Sequence, residues 1–81
     1  MTLSDEIRIE AEELGREWGA EEVECYRDQN PGRVLPGWTM GTYNGRLPGV
    51  TSRYEQYELA DAVDLVIDRA ARDVWNDEAG R

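Results

Sequence analysis

The sequence predicts an α+β domain of order α-β-β-β-α, with a small antiparallel sheet packed against two helices. Three observations carry that expectation: a four-and-three-residue apolar periodicity at each end of the chain, short alternating runs between them, and an Asn44-Gly45 pair at the centre. With 81 residues there is room for one domain, taken here as residues 1–81.

Ser4 is a good N-cap, and Asp5 and Glu6 place negative charge in the first turn, where the helix dipole favours it. Leu3, Ile7, Ala11, Leu14 and Trp18 recur at steps of four, four, three and four, one stripe of a 3.6-residue helix. The first helix is therefore expected over about 4–18, weakened by Gly15 and stopped at Gly19. Glu22 to Asp28 alternates, with Val23 and Cys25 on one face, and reads as a strand with one buried side. Gln29-Asn30-Pro31-Gly32 and Pro36-Gly37 are turns.

Residues 38–43 alternate again, with Trp38 and Met40 on the core face, and Asn44-Gly45 is a strong hairpin signal. The third strand is Arg46-Leu47 with a bulge, the Thr51–Tyr57 segment, or both, because Pro48-Gly49 interrupts. Leu59, Val63, Val66, Ile67, Ala70 and Val74 define a second helix over about 58–75, leaving 76–81 as a frayed tail.

The chain carries eighteen Asp and Glu against nine basic residues, every one an arginine, for a net charge of −9. An Arg-favouring genome or a salt-adapted host would produce the same bias. The charge is also uneven. Residues 1–28 hold ten acids and three arginines, residues 29–57 one acid and three arginines, and residues 58–81 seven acids and three arginines. Glu6, Glu10, Glu13 and Glu17 fall on one helix face, with a shorter counterpart in Asp61, Asp64 and Asp68. Like charges at that spacing repel by a few tenths of a kcal/mol per pair. Such a stripe is either a solvated face or a surface for a cationic partner.

The inventory argues against an enzyme. There is no His to shuttle protons near neutral pH and no Lys for a Schiff base or phosphate loop. Cys25, without a His beside it, is expected as a buried structural thiol. Adjacent acids such as Glu12/Glu13 and Glu21/Glu22 point apart on a helix, so no metal and no cofactor is expected. The absence of a long apolar run, together with a single cysteine, predicts a cytoplasmic protein.

A charge of −9 argues against broad contact with nucleic acid and for a protein partner that itself binds nucleic acid through Arg and Lys. The other candidate surface is the central face of Arg33, Tyr43, Arg46, Arg53, Tyr54 and Tyr57, since Tyr and Arg are common interface residues. There the chain is an interaction or assembly module, with a homodimer formed by sheet-edge pairing. The element order resembles that of double-stranded-RNA-binding domains in order only. Those domains need a basic start to the second helix, which here reads Glu58-Leu59-Ala60-Asp61.

As a type, a small acidic chain with ordered carboxylate stripes resembles phage-encoded anti-CRISPR proteins and other inhibitors that mimic nucleic acid. The resemblance covers the whole chain but rests on no motif, so no residue role is carried over. It implies a non-catalytic inhibitor, in the host cytoplasm, that binds a CRISPR effector complex and blocks its DNA-binding surface.

Overall fold

The computed structural model describes residues 2–39 and 43–81. Among them there are two long helices and no strand: α1 spans Asp5–Gln29 and α2 spans Tyr57–Ala79. The expected antiparallel sheet, and with it the α+β class, is not formed. Among the described residues the only regular structure is helical, and residues 30–39 and 43–56, in the crossover between the helices, are irregular.

The first helix begins where its cap predicts: the Ser4 hydroxyl accepts from the Ile7 amide at 3.3 Å. It then runs through both glycines read as a weak point and a stop. Gly15 and Gly19 are buried, and they mark the closest approach of the two helices. A Cβ built on Gly15 would lie 2.4 Å from the Ile67 carbonyl oxygen and 2.6 Å from Ala70 Cβ. One on Gly19 would lie 2.6 Å from the Ala71 carbonyl oxygen. With Ala11 four residues earlier, the small residues form a flat strip on which α2 backbone rests.

Gly15 meets Ile67 and Gly19 meets Ala71, so position rises together in both helices. The same sense holds further along, where Arg27 bonds Glu78 at 3.1 Å. The two helices therefore run parallel. A parallel pair cannot be joined by a tight turn, because the chain must return over the whole length of α1, about 37 Å at 1.5 Å per residue. That is the task of residues 30–56. The crossover places Leu35 beside Val23 and Trp75 at the C-terminal end of the helices. Further on, Leu47 joins Ala11, Ala60, Val63 and Ile67 toward the N-terminal end.

Aromatic rings mark the route between these clusters. Trp38 packs edge-on to both Trp75 and Trp18, with centroids 5.5 and 5.6 Å away, and Tyr43 packs on Trp18 at 5.3 Å. The Trp75 indole donates to the Pro36 carbonyl at 2.7 Å. Trp38 is half-buried in this core; Met40, expected beside it, lies outside the described residues.

Residues 22–28, expected as a strand, continue α1. Val23 and Tyr26 extend its buried face onto Trp75. Cys25 is consequently exposed on the helix rather than buried in a sheet. The predicted second helix is found, beginning at Tyr57 and continuing through Ala79. Gln56 organises its entry: its side-chain oxygen accepts from the Thr51 amide at 2.8 Å, the Thr51 hydroxyl at 2.9 Å and the Ser52 amide at 3.2 Å. Among the described residues no helix is long and apolar enough to cross a membrane.

Candidate functional site: an acidic helix face

The four glutamates expected to form a stripe do lie along one side of α1, and the structure divides them by use. Glu6, Glu13 and Glu17 are exposed, and their side chains take part in no hydrogen bond or ion pair among the described residues. Glu10 differs, because it lies beside the crossover and is paired with Arg46. Extension of α1 past Gly19 adds Glu21 and Glu24, both exposed, to the outer side of the helix. Glu24 stands seven residues after Glu17, almost two turns, and so repeats its direction. From Glu6 to Glu24 the carboxylates span about 27 Å. Sequence reasoning missed Glu21 and Glu24 because the helix was ended at Gly19 and Glu22–Asp28 was read as a strand. The seven-residue step from Glu17 to Glu24, repeating that from Glu6 to Glu13, and the four-residue step from Glu17 to Glu21 are the signals that could have found them.

The acids of α2 do not continue this surface. Asp68 accepts the Trp38 indole N–H at 3.1 Å. Asp64 bonds Arg53 at 2.9 Å, and Arg53 also donates to the Tyr43 carbonyl at 3.1 Å. The second Asp64 oxygen is buried without a hydrogen bond among the described residues. Asp61 alone of the three is exposed and outside any such contact. Glu10, Asp64 and Asp68 thus hold the crossover against the helices. They are fixed by the fold, with little freedom to meet a partner.

Nor do the residues of the expected sheet face gather. Tyr43, Arg46 and Arg53 are engaged in the latches just described. Arg33 is exposed shortly after the end of α1, whereas Tyr54 and Tyr57 are exposed around the start of α2, the opposite end of the parallel pair. With no strand among the described residues, sheet-edge pairing has no edge to use.

A third surface was not anticipated. An open groove of about 620 Å³ runs between α1 and α2, and its described lining comes from the two helices. Its floor includes Val66, Ala70 and Val74. Arg8, on one wall, is occupied by Glu12 at 3.1 Å and Asp5 at 3.5 Å, and these contacts, the Glu12 hydrogen bond first, hold its guanidinium pKa above the usual value.

No protein-family model, curated protein or solved structure matches the chain. Function is therefore argued from these surfaces.

Proposed function

We propose that the protein is a non-catalytic binding protein whose outer α1 face engages a cationic surface of a nucleic-acid-handling protein. In the type suggested by its size and charge, that partner is a CRISPR effector complex in the cytoplasm of a host cell, and the bound helix occupies the groove meant for DNA. One observation carries the reading. The protein has nine arginines, yet none pairs, among the described residues, with Glu6, Glu13, Glu17, Glu21 or Glu24.

A helix that keeps several carboxylates in line bears a standing repulsion of a few tenths of a kcal/mol per neighbouring pair. A cationic partner relieves it. The line is also rigid, because the opposite side of the same helix is locked on α2 through Ala11, Gly15 and Gly19. Little ordering entropy is then lost on association, and the field of the stripe raises the encounter rate.

The test is capture of partners from a bacterial lysate containing CRISPR effector complexes, eluted by rising salt. We expect a nucleic-acid-binding protein that is released at moderate salt and displaced by duplex DNA. The variant E6Q/E13Q/E17Q/E24Q should lose it. Equal capture by that variant would overturn the proposal.

A further inference from the structure

We propose that the groove between α1 and α2 is the contact surface for a second copy of this chain, giving a four-helix dimer. The inference is independent of the acidic face, which lies on the outer side of α1.

Three observations point to a second copy as the occupant. The groove floor is apolar, and none of the described crossover residues lines it. Its walls are charge-balanced on a molecule of net charge −9: Glu12 and Arg16 stand on α1, Arg69 and Asp73 on α2. Arg16, Arg69 and Asp73 also form no ion pair with any described residue. A strongly acidic surface meeting its own copy is repelled almost everywhere. A balanced wall is where that encounter is tolerated.

The register supports a particular arrangement. Within one chain, α1 residues stand level with α2 residues 52 positions later, as Gly15 with Ile67 and Gly19 with Ala71. A two-fold axis parallel to the helices sets α1 of one copy against α2 of the other at the same height. Arg16 then stands five residues from the level of Asp73 of the second copy, and Glu12, which already accepts from Arg8 through one oxygen, five from Arg69 of the second copy. Five residues are about 7.5 Å along a helix, within the length of an extended arginine side chain. One displacement serves both pairs, and symmetry makes each pair twice. Val66, Ala70 and Val74 of the two copies face each other between them.

Sedimentation equilibrium on the full chain tests this. The wild type should reach twice the 9.3 kDa chain mass as concentration rises. R16D and D73R each place like charges opposite one another, and each should weaken self-association at least ~10-fold. Mixed together, the two variants should recover a dimer, because each altered side chain then faces the opposite sign. Both positions are exposed, and unchanged helical circular dichroism checks that each variant is folded. A wild type that stays at single-chain mass across the series overturns the proposal. So does a dimer indifferent to R16D and D73R, or a mixture that recovers nothing.

Discussion

Replacing Gly15 by alanine is the sharpest probe of the close helix crossing, because local and tertiary effects have opposite signs. Gly15 lies ten residues inside a 25-residue helix. There alanine favours the helical backbone over glycine by about 1 kcal/mol. If nothing packed on that side, G15A would stabilise the protein. In the structure the added methyl lies 2.6 Å from Ala70 Cβ and 2.4 Å from the Ile67 carbonyl oxygen. Carbon atoms prefer roughly 3.5–4.0 Å, so the helices must separate by about 1 Å or one of them must shift. The obstacle is backbone and a β-carbon, and neither has a rotamer to change.

A gap of about 1 Å forfeits a quarter to a half of each dispersion contact it opens. The contacts at risk are those of Ala11, Val63 and Ile67, all fully buried in the same cluster. Overpacking of this kind costs about 1–3 kcal/mol. Against total stability of roughly 4–12 kcal/mol for a chain this long, the loss is easily measured. With the helical gain of about 1 kcal/mol subtracted, urea denaturation followed by circular dichroism should show G15A and G19A each destabilised by up to about 2 kcal/mol. A gain of ~1 kcal/mol in both variants would refute the parallel helix contact.

Four further outcomes follow from the same geometry. The exposed Cys25, spin-labelled together with a cysteine replacing Glu58, should give an axial separation of about 29 Å for parallel helices; an antiparallel pair would bring the labels to within about 10–15 Å. W75F removes the indole N–H that satisfies the Pro36 carbonyl and should cost about 1–3 kcal/mol by chemical denaturation. R53A releases the half-exposed latch to Asp64 and should cost no more than ~1 kcal/mol, while amide exchange quickens around Tyr43. E13Q/E17Q should keep or raise thermal stability by a few tenths of a kcal/mol, so a partner lost by this pair cannot be attributed to unfolding.

Both helices were legible in the sequence, but the end of the first was not, and the reason lies in the two uses of glycine. Gly15 and Gly19 look like a helix weakening and stopping when only local propensity is considered. Their four-residue spacing after Ala11 is equally the pattern of a face built for close approach. Local sequence cannot separate these meanings, since the partner backbone at Ile67 and Ala71 is more than fifty residues away. Once α1 was ended early, Glu22–Asp28 had to be something else. Seven residues with Val23 and Cys25 two apart satisfy a strand as readily as a helix. The exposure of Cys25 and the burial of Val23 show that the helical period, not the alternation, governs this segment.

The acidic surface was legible in part for a related reason. Periodicity gives the direction of a side chain from its helix, and it sets Glu6, Glu10, Glu13 and Glu17 on one side of α1. What lies opposite a side chain depends on the crossover, whose Pro48-Gly49, Asn44-Gly45 and Pro36-Gly37 pairs are turn signals in a sheet and in an irregular return path alike. Arg46, Arg53 and Trp38 settle on Glu10, Asp64 and Asp68, and in doing so separate structural acids from unassigned ones. Parallel helices require such a return, and the return requires fixings along its length. Trp38, Tyr43, Arg46 and Arg53 of the mildly basic, aromatic centre are therefore explained by the chain's own helices, whereas Arg33 and Tyr54 stay exposed. The outer carboxylates of α1 have no such role among the described residues: no arginine of the crossover or of α2 is paired with Glu6, Glu13, Glu17, Glu21 or Glu24.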